Sequence, residues 1–304
     1  MAPSFLITAA TGRQGGSAAR VLLARGATVH ALVRNRNSLA ALELERLGSV
    51  LFEGDFDNVP AIQAAAAGVT GIFLNLWPTP NPEDQLSQAK SFIDAAKQAN
   101  SLTIVVSTAF LTGRPELWTG VDGLEPYYTG KAMVEDVVRQ AGLPSYSILR
   151  PSFLMHNYLI PDSQYHFLEL APKGILAHAY KAGRRMPHLD AADVGKFAAE
   201  ALLNPGAFNG HEIELGFQNL TPEEAAETIY QVSGRTVRVH GRTDQEITSQ
   251  RHLLPTLPFQ VLANEQDLTI DGEYLQNKYG VTLTTFEDFL SSEAVQLLKS
   301  LPEA

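Results

Sequence analysis

The chain has 304 residues, of which 45% are hydrophobic and 18% are charged, as in a globular protein with one large core or two smaller ones. Its formal net charge of -10 disfavours general nucleic-acid binding, which needs a concentrated basic surface. The absence of cysteine excludes disulfides and thiolate catalysis. No apolar run reaches the roughly 20 residues that span a bilayer. We therefore expect a cytoplasmic protein with no membrane segment and no cleaved signal.

The stretch FLITAATGRQGGSAARVLL, residues 5–23, predicts a strand, a tight loop and a helix. Its apolar start is typical of a buried strand, and Ala18, Val21 and Leu22 then recur at helical spacing until Gly26 ends the helix. Small residues in the loop would let the backbone approach a pyrophosphate, whose charge the helix N-terminus stabilises. The loop residues that we predict to bind a dinucleotide are Thr11, Gly12, Arg13, Gln14 and Gly15. An ordinary tight turn is the alternative.

Between residues 28 and 150, short β-branched runs alternate with helical patterns, which predicts a parallel sheet wrapped by helices. Predicted strands two to six are TVHALV, SVLFEG, GIFLNL, TIVVST and YSILRP. The predicted helices are NSLAALELERLG, with Ser38 as N-cap, NVPAIQAAAAG, PEDQLSQAKSFIDAAKQAN and GKAMVEDVVRQAG. The fold class is therefore α/β, a doubly wound parallel sheet of the Rossmann type with a smaller C-terminal α/β subdomain.

After Pro151 the pattern loosens, and residues 151–187 carry aromatic, histidine and proline residues without a clean period. Open α/β proteins hold their ligands at the carboxyl ends of strands, so we predict substrate contacts from Phe153 and Tyr158 in this segment. Farther on, DAADVGKFAAEALLNPG and TPEEAAETIYQVSG predict helices, the second with Thr221 as its cap, and TVRVHG predicts a strand. The last stretch of about 60 residues predicts short helices with a strand or two.

Arg34 stands at the end of the second predicted strand, about 20 residues beyond the glycine loop. NAD enzymes place an acidic residue there for the adenosine ribose, whereas an arginine suits a 2′-phosphate because its guanidinium matches phosphate oxygens. Arg13 can reach the same phosphate from the loop. The sequence therefore predicts NADP(H) as cofactor, and two solvated arginines are the alternative.

Further candidates follow the other predicted strands at the carboxyl edge of the sheet. After strand three, Asp55 can accept a hydrogen bond from the adenine amino group while Phe56 covers the ring edge, although Asp55 can equally cap the next helix. The ends of strands four and five should line the cleft between sheet and cofactor, and they carry Asn75, Leu76, Trp77, Ser107 and Thr108.

Four stretches together resemble the NmrA-like family, an atypical branch of the short-chain dehydrogenase/reductase superfamily. They are ITAATGRQGGSAARVLLARGATVHALVRN, FEGDFDN, GKAMVEDVVRQAGLPSYSILRPSFLMHN and LDAADVGKFAAEALLNP. The resemblance covers roughly residues 4–235, and several motifs in one order are far more specific than the glycine loop alone. Ala9 stands where the family more commonly has glycine, a small change that leaves room for the turn.

This resemblance implies a cofactor and its contacts. It implies NADP(H), with Arg13 and Arg34 at the 2′-phosphate and Lys131 on the nicotinamide ribose. The residues that it implies beside the nicotinamide or the substrate are Pro151, Ser152, Phe153 and Asn157.

The sequence YYTGK bears on whether the protein is an enzyme. Short-chain dehydrogenases place a tyrosine four residues before a lysine, so that the lysine charge lowers the phenol pKa and the tyrosine serves as general acid. Tyr127 stands four residues before Lys131, whereas regulators of the family often carry a histidine there. Ser107 or Thr108 would polarise the substrate carbonyl. The alternative is that Tyr127 and Tyr128 simply pack at a helix entrance.

We therefore predict an NADPH-dependent reductase acting on a C=O, C=N or conjugated C=C bond of a small organic substrate. The alternatives are a non-catalytic NADP-sensing regulator with a protein partner, and a non-redox cyclase or isomerase on the same fold. No metal site is expected, because the histidines lack metal-ligand spacing. We assign residues 1–150, completed by parts of 186–235, to cofactor binding, and residues 151–185 and 236–304 to a substrate-binding subdomain.

Overall fold

The structure, a computed structural model, describes Ala2–Glu303. Over this range the chain divides into two compact units. Unit 1 comprises residues up to 115, 126–151 and 191–214, and unit 2 comprises residues 116–125, 152–190 and 215 onward. The short segment 116–125 therefore belongs to unit 2, although its position in the sequence lies inside the predicted first domain. The predicted assignment of cofactor and substrate binding to the two domains stays a prediction.

Strands and helices alternate through unit 1, and they are shorter in unit 2. The strands are β1 (Ser4–Ile7), β2 (Thr28–Val33), β3 (Val50–Glu53), β4 (Gly71–Asn75), β5 (Thr103–Ser107), β6 (Ser145–Pro151), β7 (Phe153–Leu154), β8 (Ile175–His178), β9 (Met186–Leu189), β10 (His211–Leu215), β11 (Gln218–Leu220) and β12 (Arg238–Gly241). The helices are α1 (Arg13–Ala24), α2 (Leu39–Arg46), α3 (Val59–Ala66), α4 (Pro82–Gln98), α5 (Pro115–Trp118), α6 (Glu125–Arg139), α7 (Ser163–His166), α8 (Leu170–Lys173), α9 (Ala191–Leu203), α10 (Pro205–Phe208), α11 (Pro222–Ser233), α12 (Asp244–Gln250), α13 (Leu257–Ala263), α14 (Gly272–Tyr279), α15 (Phe286–Ser292) and α16 (Ala294–Lys299). A 3₁₀ helix covers Met155–Tyr158.

The central sheet has seven strands in the order β10-β6-β5-β4-β1-β2-β3. β1 pairs in parallel with both β2 and β4, and the order of the strands reverses between these neighbours. In a doubly wound sheet such a reversal opens a crevice at the carboxyl ends of the strands, where ligands bind. The predicted Rossmann-type fold is confirmed.

The predicted elements of unit 1 are present, with differences at α6 and β10. Ser38 caps α2 as predicted, because its hydroxyl accepts a hydrogen bond from the Ala41 N–H. The helix predicted from Gly130 begins earlier, at Glu125, so that the tyrosine pair lies inside it. β10 was not predicted, although its five residues HEIEL alternate polar and apolar side chains as suits a strand at the edge of a sheet. β7 immediately follows the sixth predicted strand.

The closest helix packing in unit 1 joins α1 to α9. Gly195 makes this approach possible, since a Cβ there would lie 2.5 Å from the Gln14 carbonyl oxygen and 2.5 Å from the Ser17 Cβ. The Ser17 hydroxyl donates a 2.7 Å hydrogen bond to the Ala192 carbonyl across the same contact. Gly195, the glycine of DAADVGKF, therefore allows α9 to lie close against α1. The N-terminus of α1 forms part of the candidate site described below.

Unit 2 is built on two small sheets and a cluster of aromatic and aliphatic side chains. One sheet has the order β11-β9-β7, and the other pairs β12 with β8. Thr221 caps α11 as predicted, in a reciprocal pair of hydrogen bonds with Glu224. Beyond β12 the described residues form only helices and loops, so the strand expected near the C-terminus is absent there.

No helix among the described residues combines the length and the apolar character needed to cross a membrane.

Replacing Gly195 by alanine should destabilise the protein by about 1–3 kcal/mol, because the new methyl group meets backbone atoms that cannot move aside. Gly206→Ala is the matched control, since a Cβ at that position has no neighbour within 4 Å. Urea unfolding monitored by circular dichroism measures both variants. Equal stability of the two variants would contradict the packing argument.

Candidate functional site

The loop after β1 turns sharply and brings its backbone close to α1. Ala9 has φ +47°, a left-handed conformation that glycine adopts more easily than alanine. The Gly12 N–H donates a 2.8 Å hydrogen bond to the Ala9 carbonyl. Gly15 must lack a side chain, because a Cβ there would lie 2.4 Å from the Ala9 oxygen and 2.6 Å from the Thr8 oxygen. The alanine in the first loop position is therefore held in the turn by its neighbours.

The N-terminus of α1 is open to an anion. Gly12 is the N-cap, is exposed, and offers no side chain that could cap the first turn. The first N–H groups of an α-helix have no partner within the helix, and the helix dipole places partial positive charge there. The side chain of Gln14 is held in place by Ser107, whose hydroxyl donates a 2.8 Å hydrogen bond to Oε1 of Gln14. This arrangement fits a pyrophosphate.

The two predicted phosphate-binding arginines are both exposed. Arg13 lies in the first turn of α1, and Arg34 directly follows β2. Arg34 makes no ion pair with any residue between 2 and 303, so its guanidinium is available to a ligand. An exposed cation next to the open end of α1 suits a second phosphate group.

The residues after β3 have two different roles. Asp55 is exposed and accepts a 3.0 Å hydrogen bond from the Asp57 N–H. Asn58 is the residue that caps α3, so the alternative role of Asp55 as helix cap is wrong. Phe56 is half-buried, and its ring packs edge-on against Phe92 at 5.9 Å. Asp55 and Phe56 stay predicted adenine contacts.

Lys131 connects the end of β4 to α6. Its side chain is buried, and its Nζ donates a 2.9 Å hydrogen bond to the Leu76 carbonyl. An ammonium group has three N–H donors, so this bond leaves two of them for a ligand. Burial lowers the Lys131 pKa to about 8, with a smaller opposing effect from Glu135. A buried cation with spare donors fits the ribose hydroxyls of a nucleotide.

Tyr127 lies on the same face of α6 as Lys131, whose Nζ is 6.0 Å from the centre of the tyrosine ring. The side chain is 40% exposed and rests edge-on against Tyr128. Partial burial raises the Tyr127 pKa above its usual value of 10. The lowering that the Tyr-Lys spacing predicts is therefore not present in this arrangement, and the tyrosine stays protonated at neutral pH. The role of Tyr127 as catalytic acid stays a prediction.

The two predicted hydroxyl donors at the end of β5 are already engaged. Ser107 donates to Gln14, and Thr108 donates a 2.7 Å hydrogen bond to Oε1 of Glu135. Each hydroxyl has a single hydrogen to donate, so it must leave its present acceptor before it can polarise a substrate carbonyl. A charged acceptor binds more strongly than an amide, so Ser107 is released more easily than Thr108.

The remaining strand-end residues are fixed through their backbones. The Asn75 N–H donates a 2.8 Å hydrogen bond to the Thr8 hydroxyl. The Pro151 carbonyl accepts a 3.0 Å hydrogen bond from the Phe110 N–H. Trp77 keeps its indole 78% exposed. All three stay predicted cofactor contacts.

Sequence reasoning missed a buried ion network behind this site. Glu135 is 1% exposed and accepts two hydrogen bonds from Arg150, at 2.9 Å from Nε and 2.6 Å from one Nη. The same guanidinium also contacts Glu212 and Glu214 on β10. The signal in the sequence is Arg150 itself, a charge inside the apolar run YSILRP, because a buried charge requires partners.

A model of the NmrA-like family matches residues 2–288. The chain belongs to the NmrA-like family. The nitrogen metabolite repression protein NmrA of Emericella nidulans is 31% identical over 244 residues, which cover 77% of this chain and 66% of that protein, just under two thirds. An NAD(P)H azoreductase of Xenophilus azovorans is 28% identical over 236 residues, covering 77% of this chain and 75% of that protein.

A solved structure of NmrA, described as a negative transcriptional regulator in complex with NADP, has a TM-score of 0.77 to this chain. The identity is 23%, and the match covers 95% of this chain and 94% of the other. This likeness confirms the NmrA-like fold.

Unit 2 of this NmrA-like chain holds the predicted substrate residues. Tyr158 is 4% exposed, and its ring is stacked against Phe167 and His188. Its hydroxyl lies 2.9 Å from Nε2 of His188, whose Nδ1 lies 2.7 Å from the Met186 carbonyl. Burial lowers the His188 pKa to about 4, so the imidazole is neutral at neutral pH.

The cavity within this aromatic cluster measures about 10 Å³ and is lined by eight residues that include Phe153 and Tyr158. It has room for about one water molecule. The structure therefore places Tyr158 in the core of unit 2, whereas Phe153 and Asn157 are half-buried. Substrate contacts from these three residues stay predictions.

The Glu214→Gln variant should be less sensitive to pH than the parent protein. Burial raises the Glu214 pKa from 4.5 to about 7, so the folded state holds this proton while the unfolded state releases it. The favourable contribution of protonated Glu214 to the free energy of unfolding is thus present below pH 4.5 and is lost as the pH rises toward 7. A glutamine can still accept the hydrogen bond from the Leu111 N–H.

The measurement is the free energy of unfolding in urea at pH 5 and pH 8. The variant should gain stability relative to the parent protein between these two values. Glu45→Gln, which changes an exposed carboxylate in unit 1, should alter stability by less than about 0.5 kcal/mol at either pH. A constant difference between Glu214→Gln and the parent would contradict the assignment.

Proposed function

We propose that this protein is an NADP(H)-dependent oxidoreductase that reduces a C=O, C=N or conjugated C=C bond of a small organic substrate. The observation that carries the proposal is the pair formed by Tyr127 and Lys131. The lysine is buried with two spare N–H donors, and the tyrosine beside it is partly exposed and protonated at neutral pH. The similarity to an NAD(P)H azoreductase, and to NmrA solved with NADP and with NAD, supports a nicotinamide dinucleotide, and the exposed Arg34 favours the phosphorylated form.

The residues that would hold NADP(H) lie at the carboxyl edge of the sheet. The open N-terminus of α1 suits the pyrophosphate, and Arg34 with Arg13 suits the 2′-phosphate. Lys131 would bind the nicotinamide ribose through its spare N–H groups. NADPH, when bound, supplies the hydride.

In the proposed reaction, Tyr127 provides the proton. Its hydroxyl is protonated at neutral pH and donates its hydrogen as negative charge develops on the substrate oxygen or nitrogen. The charge of Lys131 stabilises the phenolate that remains. Since Tyr127 is 40% exposed, water can return the proton. Ser107 is the better of the two hydroxyls to orient the substrate, because its acceptor is the neutral Gln14 amide.

A cofactor-sensing regulator is the second candidate. It is favoured by one observation, the 31% identity to a protein named for nitrogen metabolite repression. Such a protein would use the same cofactor contacts and would need a protein partner in place of a substrate. Steady turnover of NADPH with an azo dye, quinone or imine would decide for the reductase. Tight NADPH binding without turnover of any such substrate would decide for the regulator.

Changing Arg34 to Asp should abolish or reverse a preference for NADPH over NADH. Losing a charge-assisted phosphate contact costs on the order of 1.5–3 kcal/mol, which is about tenfold or more in affinity. Isothermal titration with both cofactors measures the effect. Arg46→Asp makes the same charge change in the last turn of α2 and should leave the preference intact. Equal affinity of the parent protein for both cofactors would refute the role of Arg34.

Changing Tyr127 to Phe should lower turnover about 100-fold or more, the usual effect of a positioned acid, while NADPH binding is retained. Tyr128→Phe is the matched control on the neighbouring buried ring, and it should affect turnover less. Lys131→Met should weaken NADPH binding and turnover together. Undiminished turnover in Tyr127→Phe would assign the proton to another donor.

A further inference from the structure

Trp77 is the most unusual exposed side chain of unit 1. It is 78% exposed, whereas the other tryptophan of the chain, Trp118, is 5% exposed. Tryptophan carries a large apolar ring that proteins generally keep out of water. An indole left outside the core at the carboxyl end of β4 therefore calls for an explanation.

The backbone beneath this indole is rigid. The Trp77 carbonyl accepts a 3.0 Å hydrogen bond from Nε2 of Gln85, a side chain that is 2% exposed. The preceding carbonyl, of Leu76, accepts the hydrogen bond from Lys131. Hydrogen bonds from two buried side chains, Gln85 and Lys131, therefore fix the backbone that carries the exposed ring.

Gly130 joins this support to α6. A Cβ at Gly130 would lie 2.5 Å from Oε1 of Gln85, so only glycine leaves the amide in its present place. Gly130 directly precedes Lys131 and stands three residues after Tyr127. Gln85, which holds the backbone of Trp77, therefore packs against the turn of α6 that carries the proposed acid.

We propose that Trp77 is the surface on which a planar, conjugated substrate stacks, and that it makes the enzyme prefer flat aromatic or quinone-like molecules to saturated ones. This inference rests on the proposed function, because it places the substrate beside Tyr127. Aromatic rings attract one another in offset or edge-to-face geometry, whereas a saturated ring gains only the apolar contact. The half-exposed ring of Tyr127, supported edge-on by Tyr128, adds a second aromatic face.

This inference replaces the predicted role of Trp77 as a cofactor contact, because the indole suits the substrate better than the cofactor. The groups that favour NADP(H) are cations and backbone N–H groups, and they serve its phosphates and ribose. A ring that is 78% exposed leaves most of its surface open to a ligand, which suits a reductase for planar molecules.

The test measures binding on protein saturated with NADP⁺, which cannot donate a hydride and so prevents turnover. Calorimetry gives the Kd of 1,4-naphthoquinone and of 2-decalone, a saturated bicyclic ketone with the same number of carbons. Trp77→Ala should raise the Kd for naphthoquinone about tenfold, the effect of one lost stacking contact, and the Kd for decalone less than about twofold. Trp77→Phe keeps a ring and should restore most of the affinity.

Leu102→Ala is the matched control, because Leu102 is an apolar side chain of unit 1 that is 51% exposed at the amino end of β5. It should change neither Kd. A loss of NADP⁺ affinity in Trp77→Ala would make the indole a cofactor contact and overturn the inference. Equal losses for both probes, or no binding of naphthoquinone by the parent protein, would also overturn it.

The proposed function fails separately, when the parent protein does not bind NADP⁺ or when it binds NADPH and turns over no substrate. The naphthoquinone titration on that same protein still reports on Trp77.

Discussion

The ion pair between Glu135 and Arg150 is the interaction on which the candidate site depends. Both side chains are buried, and two hydrogen bonds join α6 to β6 through them. Removing one partner of such a pair costs about 3–5 kcal/mol, because the other charge is left without compensation. The pair therefore fixes the position of α6, and with it Tyr127 and Lys131, relative to the carboxyl end of the sheet.

The same pair shapes the loop that follows β5. Thr108 donates its hydroxyl hydrogen to Glu135, so the end of the strand is tied to the helix. Gly113 must lack a side chain, because a Cβ there would lie 2.5 Å from the Arg150 guanidinium. Leu111 has φ +67°, and its N–H donates to Glu214, a further contact of Arg150. A strained loop persists where charged partners hold it in this way.

The periodic parts of the fold could be predicted from the sequence, whereas contacts between distant residues could not. Strands and helices such as TVHALV and PEDQLSQAKSFIDAAKQAN carry their own period and end signals, and the structure has both. HEIEL carries the alternation of an edge strand, but its place in the sheet depends on pairing with β6, which the sequence does not show. Likewise, Tyr158 lies in an aperiodic segment, and only tertiary packing decides that it is buried.

In the candidate site, too, the sequence predicts local spacing but not the contacts between distant residues. The spacing of Tyr127 and Lys131 correctly predicts one helix face, but it cannot show that Leu76 supplies the acceptor for the lysine. That acceptor matters, because it holds a buried ammonium group in place before any ligand arrives. The distance between the two side chains explains why the pKa of Tyr127 is not lowered. The centre of its ring is 6.0 Å from the Lys131 nitrogen, so the effect of burial on the pKa outweighs the effect of the lysine charge.

This arrangement bears on the difference between a reductase and a regulator within one family. Both need the cofactor contacts, so the glycine loop and Arg34 do not separate them. A reductase also needs a group that keeps a proton at neutral pH, yields it beside a stabilising cation, and regains it from water. In the proposed reaction Tyr127 would meet these conditions, because it is protonated at neutral pH, lies with its ring centre 6.0 Å from the Lys131 nitrogen and is 40% exposed. A sensor does not need a proton donor, so turnover of NADPH that depends on Tyr127 is the property that would separate the two.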